Sequence, residues 1–123
     1  MTTWTDPLDS FNGSAFTQPG SSGFGPMNWS PAVDWRRVMG AHASVFNVTN
    51  PNNVMSNIAV QASLDGSTWF TISTGTANST GVIFLAPAGA PEPARYVRAG
   101  IALDGPGSDT VTLTVQHVAQ ETP

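Results

Sequence analysis

The sequence contains no cysteine and, although four residues are Lys or Arg, no lysine: all four are arginine. Without cysteine there can be no disulfide framework, thiolate nucleophile or cysteine-containing zinc site, and the redox compartment is left open. Charge of either sign is scarce. Charged residues make up 10% of the chain, against roughly 25% in ordinary soluble domains, and the formal net charge is −4. Four scattered arginines form no basic stripe to neutralise phosphates, so nucleic acid is not an expected partner. No apolar run approaches the roughly 20 residues of a spanning helix, so no membrane association of that kind is expected. The opening Met-Thr-Thr-Trp-Thr-Asp has neither a basic nor an apolar region, and no signal peptide is read there. Groups that titrate near neutrality are also few, namely His42 and His117. No GxSxG, HExxH, P-loop or GxGxxG pattern occurs. Asp65, Asp104 and Asp109 stand in turn sequences beside glycine, where backbone capping accounts for them. The expectation is a non-enzymatic protein with no catalytic residues, no metal and no cofactor.

What the sequence does have is alternation. From Val54 to Thr74, Val54, Ile58, Val60 and Ala62 share one face and Asn57, Gln61 and Ser63 the other, as in a half-buried antiparallel strand. Asp65-Gly66 supplies a turn. A three-residue loop Leu64-Asp65-Gly66 with Gly66 in the left-handed region predicts Val60 opposite Phe70 and Ile58 opposite Ile72. Trp69 then falls beside Gln61 on the outer face, under a covering segment or against a partner.

At 123 residues the chain suits one domain able to build a core unaided. Ala41–Thr49 reads as a strand with Phe46 and Val48 on one face, ended by Asn50-Pro51-Asn52-Asn53. Gly81–Leu85 is a short apolar run and reads as a buried strand, and APAGAPEP after it as a loop. Arg95–Ala102 places Val97, Ala99 and Ile101 inward and Tyr96 and Arg98 outward; Thr110–Val118 places Val111, Leu113 and Val115 inward. These strands, separated by turn clusters, predict an all-β fold: a single antiparallel β-sandwich of about six to eight strands.

Residues 1–33 have no such period, and predict an extended N-terminal arm ahead of a sandwich domain at 34–119 and a tail at 120–123. The arm is rich in glycine and proline yet carries Phe11, Phe16, Phe24, Met27 and Trp29, unlike a disordered linker. Its large side chains are expected to bury against the sandwich or a neighbouring subunit. With Arg36, Arg37 and Trp69 they form the candidate partner-binding set, and removal of residues 1–28 is expected to leave a folded core. Four tryptophans also make a carbohydrate-binding role physically possible, since exposed rings stack on sugars.

The segment Gln61-Ala62-Ser63-Leu64-Asp65-Gly66-Ser67-Thr68-Trp69, followed by Ala94-Arg95-Tyr96-Val97-Arg98, resembles a pattern shared by two groups. One is the discoidin-like, galactose-binding-like sandwich modules, which are usually longer and often closed by a disulfide. The other is a set of small tailed-phage virion proteins, including capsid decoration proteins. Their C-terminal strand alternates threonine and valine as Thr110–Val118 does here. This second resemblance implies a structural protein of the capsid surface, made in the host cytoplasm, whose partners are the major capsid protein and copies of itself. A carbohydrate-binding module or a tail-associated structural protein is the alternative.

Overall fold

The computed structural model describes residues 3–4, 6–35, 42–86 and 94–122. Among them are ten strands and no helix, and so no helix long and apolar enough to cross a membrane. The strands are β1 (Thr3–Trp4), β2 (Leu8–Thr17), β3 (Asn28–Trp29), β4 (Val33–Asp34), β5 (His42–Thr49), β6 (Ser56–Ser63), β7 (Phe70–Thr76), β8 (Gly81–Leu85), β9 (Tyr96–Leu103) and β10 (Thr110–Thr122). Every pairing between them is antiparallel. One sheet runs β2-β10-β5-β8, with β1 added at the end of β10; the other runs β9-β6-β7, with β3 and β4 sharing the far side of β9.

The expected β-sandwich is therefore present, and its strand order is more specific than the pattern of alternation. Except at β1–β2, β3–β4 and β6–β7, successive strands cross between the sheets, so that each sheet interleaves early and late strands, which is the eight-position arrangement of a jelly roll. The inner faces meet in a core of Phe46, Val48, Ile58, Val60, Val97, Ile101, Val111, Leu113 and Val115, with Phe70 and Ile72 partly buried against it. These are the residues that period-two alternation assigns inward.

Several expectations are corrected. Residues 1–33 are not a segment without regular structure: Leu8–Thr17 pairs along β10 from Thr110 to His117, and Phe11 is buried in the core at 6% exposure. Register shifts at Leu113/Val115 and Val115/Gln116, together with left-handed Gly13 (φ 66°), break the two-residue period that would have marked this strand. Deleting residues 1–28 would remove a whole strand position, so a folded core is not expected to survive. At the other end, β10 continues to Thr122 through the expected tail.

The central turn differs as well. The β6–β7 loop spans Leu64–Trp69, Val60 faces Ser73, Ile58 faces Gly75, and a bulge lies between Val60 and Gln61. Side-chain hydrogen bonds replace a tight hairpin. The Asp65 carboxylate accepts from the amides of Ser67 and Thr68, both at 2.8 Å, and from Ser63 Oγ at 3.0 Å; Gly66 N donates back to Ser63 Oγ at 2.9 Å. Gly66 does occupy the left-handed region (φ 81°). Phe70 lies opposite Ala62 and Ile72 sits at the bulge, and both still pack against the core.

Finally, β8 is an edge strand. Ile83 and Leu85 pack on the core while Val82 and Phe84 are 67% and 64% exposed. A continuous apolar run resembles a strand covered on both faces, and only its position beside β5 distinguishes the two cases.

Candidate functional site

The outer face of the β9-β6-β7 sheet gathers several of the large side chains singled out above. Register places Gln61 opposite Arg98 and Ala59 opposite Gly100. Arg98 points away from the core because its neighbours Val97 and Ala99 point in. Its guanidinium lies between two indoles, 4.5 Å from the Trp29 ring centre and 4.3 Å from that of Trp69. Nε and Nη2 donate to Gln61 Oε1 at 3.0 and 2.7 Å, and Gln61 Nε2 donates to Thr71 Oγ1 at 3.3 Å. Partial burial lowers the pKa of Arg98 from its ordinary value, though an arginine there stays cationic.

Trp29 reaches this position because Gly100 has no side chain. A Cβ at Gly100 would stand 2.5 and 2.6 Å from Trp29 Cε3 and Cζ3, and 2.9 Å from Met27 Cγ. Beside Met27 a shallow groove of about 460 Å³ runs over Ala59 and Gly75, flanked by Asn57, Thr74 and Thr76. Next along β9, Tyr96 backs Gly66, Arg95 lies 5.4 Å from the Tyr96 ring centre, and Arg95 pairs with Asp34 at 2.9 Å. The carboxylate of Asp34 raises the Arg95 pKa.

Met27, Trp29 and Trp69 thus come together, while the other candidates do not join them. Phe11 is in the core, and Phe16 packs edge-on against it at 5.1 Å. Phe24 is 45% exposed, bridged to Asp104 at some distance along β9. Arg36 and Arg37 lie outside the described residues, as does most of the APAGAPEP loop. Arg98 was legible as an outward residue, but nothing in the sequence indicated that it would hold two tryptophans, since neither indole is near it in the chain.

A second cluster is internal. His117 is fully buried; its Nδ1 is 2.6 Å from Ser44 Oγ and its Nε2 2.8 Å from Ser10 Oγ, satisfying a neutral ring at both nitrogens. Burial, reinforced by nearby His42, pushes its pKa down to about 4, against a smaller opposing pull from Asp9. Serine beside histidine is a familiar nucleophilic pairing, but this imidazole is sealed from solvent and has serines on both sides. Among the described residues no cluster of His, Asp or Glu suits a metal ion.

A third feature is the flank made by β7 and β8. No charged residue occurs between Asp65 and Glu92, and β8 presents Val82 and Phe84 to solvent within this stretch.

The fold places the chain in the class of jelly-roll domains, an architecture that viral capsid and lectin domains both use. No protein-family model matches the sequence, and no curated protein matches it. Similarity is found among solved structures. A subviral particle of infectious bursal disease virus VP2 superposes with a TM-score of 0.61 at 8% identity, over 98% of this chain and 33% of that one. The Gx strain of the same virus gives 0.56 at 8% identity, over 97% and 32%. The chain spans about a third of the length of these viral proteins. A structure described as Bacillus endospore appendages forming disulfide-linked pili gives 0.53 at 11% identity, over 99% of this chain and 92% of that one. This chain has no cysteine with which to form such links. At these identities the likeness is one of fold: a β-sandwich shared with viral capsid and pilus proteins.

Proposed function

We propose that this protein is a structural virion protein, a phage capsid decoration protein that binds the outer capsid surface and stabilises it. One observation carries the reading: an exposed, charge-free flank on a jelly roll, on which Val82 and Phe84 are largely open to water. Such surface on a small domain calls for a partner. The viral-capsid-like fold agrees with a capsid setting, and the resemblance of the Gln61–Trp69 and Ala94–Arg98 segments to small tailed-phage proteins supplies the phage. The work is binding rather than catalysis, with burial of apolar surface against the major capsid protein contributing roughly 25 cal/mol per Å². The test is co-sedimentation with capsids from a phage lacking the gene. Saturable binding at micromolar concentration is expected, with capsids that resist heat better once coated. Protein that stays in the supernatant overturns the proposal.

A second reading, carbohydrate binding, is favoured by the two partly buried tryptophans of the outer face, near a groove edged with Asn57, Thr74 and Thr76. Titration with a panel of neutral glycans, followed by tryptophan fluorescence, separates the two. Saturable change lost in Trp69→Ala would favour the sugar.

A further inference from the structure

We propose that β8 is a self-pairing edge, through which two copies of this chain join antiparallel about a two-fold axis at Ile83, so that the β2-β10-β5-β8 sheet runs from one copy into the next. The proposal rests on the structural-subunit reading for its purpose and on the edge itself for its geometry.

Edge strands invite pairing with other chains, and proteins ordinarily blunt them with charge, proline, bulges or interruption. Three of the four edges here are blunted or polar. The β2 edge carries Asp9, left-handed Gly13 and two register shifts. The edge beyond β9 consists of two two-residue pieces, β3 and β4, interrupted by Pro31 and flanked by the Asp34–Arg95 ion pair. The β7 edge shows Thr71, Thr74 and Thr76 to solvent. Apart from its shortness, at five residues, the β8 edge has none of these devices among the described residues. Its pairing with β5 is regular from Ser44↔Leu85 to Val48↔Gly81, and it contains neither charge nor proline.

The occupant follows from the pattern of the strand. An isologous contact requires a patch that complements itself. An antiparallel pair centred on Ile83 sets Val82 of each copy opposite Phe84 of the other on the outer face, an aromatic against a β-branched side chain, a favourable cross-strand pair. Val45, half-buried beside Phe84 on β5, extends the same apolar row. Electrostatics permit it too: each copy carries a net −4, but the residues between Asp65 and Glu92 contribute nothing to it. Two phenylalanines bury roughly 300 to 500 Å² at most, so the contact sits at or below the roughly 1,000 Å² of a stable stand-alone interface. A weak dimer in solution that gains by multiplicity on a lattice is the expected behaviour.

The experiment is sedimentation equilibrium of the full chain up to about 500 μM, a range that captures weak association. Wild type should show a concentration-dependent dimer. Val82→Lys/Phe84→Lys should weaken it by at least about tenfold through like charges placed opposite each other. The fold should be kept, because both side chains are exposed, and an unchanged thermal midpoint checks this. An equimolar mixture with Val82→Glu/Phe84→Glu should restore dimers. A wild type that remains monomeric throughout, a dimer indifferent to the lysine pair, or a mixture that fails to associate would each overturn the proposal. Capsid co-sedimentation separates it from the broader reading: a dimer that ignores capsids leaves β8 pairing intact and removes the virion role. A monomer that coats capsids does the reverse.

Discussion

Trp29 lies across Gly100, its Cε3 and Cζ3 atoms occupying the space that a side chain on that strand residue would need. Gly100 is therefore conserving room for the first tryptophan of the outer face, and no unusual backbone angle is involved. Gly100→Ala is expected to displace Trp29 and cost about 1–3 kcal/mol, as overpacking does. Urea unfolding with tryptophan fluorescence measures both effects. Gly81→Ala, which meets open space, is the matched control and should change neither.

The Trp29–Arg98–Trp69 stack makes a second prediction. Arg98→Lys keeps a charge but loses the planar group that lies between both rings and reaches Gln61 with two nitrogens. Near-UV circular dichroism should lose much of its indole signal, with a stability loss of about 1 kcal/mol. A lysine variant with an unaltered spectrum would show that the stack does not order the indoles.

Asn50 is buried at the end of β5, where its Nδ2 donates to the carbonyls of Val54 and Ala77, both at 2.8 Å, and its Oδ1 accepts from Val54 N at 2.9 Å. One side chain thus ties the loop after β5 to the loop after β7. Asn50→Ala removes the partner of Val54 N and of the Ala77 carbonyl, while the Val54 carbonyl keeps Ser56 Oγ at 3.1 Å, and is expected to cost about 2–4 kcal/mol. Asn52→Ala, exposed in the same turn, should cost almost nothing; chemical denaturation compares the two.

His117 gives the protein an acid limit. Its folded pKa of about 4 lies below the ordinary 6.5, so the unfolded chain takes up the proton first as pH falls. Stability is full above about pH 6.5 and declines toward pH 4, by on the order of 3 kcal/mol. Asp65, held at about 2 by the amides of Thr68 and Ser67, adds a separate loss below about pH 3.8. Urea midpoints measured at pH 7, 5.5 and 4.5 should fall steadily, and His117→Gln should flatten that slope.

Period two was sufficient to assign Ile58, Val60, Val97, Ile101, Leu113 and Val115 to the core, because each lies on a strand that pairs on both sides and is covered on one face. It failed at Leu8–Thr17, where bulges break the period, and at Gly81–Leu85, where the run is apolar on both faces although only one is covered. The turn at Asp65 was visible but its length was not, since Ser63, Ser67 and Thr68 close the loop through bonds to one carboxylate. At the candidate site, Trp69 does lie on the outer face, but the expected place beside Gln61 is taken by Thr71, and Trp69 meets Arg98 from the loop before β7 instead. Its partner Trp29 was not foreseeable, because the register of β3 against β9 depends on a contact across more than half the chain.

The place of β10 between β2 and β5 has a consequence for how the chain reaches this state. Residues Leu8–Thr17 have their ladder partner in Thr110–His117, so the earliest long strand to leave the ribosome has no sheet to join until nearly a hundred further residues are made. Until Thr110–His117 is available, Phe11 and Phe16 must wait in an unassembled sheet. Closing so distant a pairing is slow, on the order of milliseconds to seconds for sandwich topologies. Folding of this domain then waits on one late strand that seals the first sheet, and any factor that shields the aromatic segment acts before that moment.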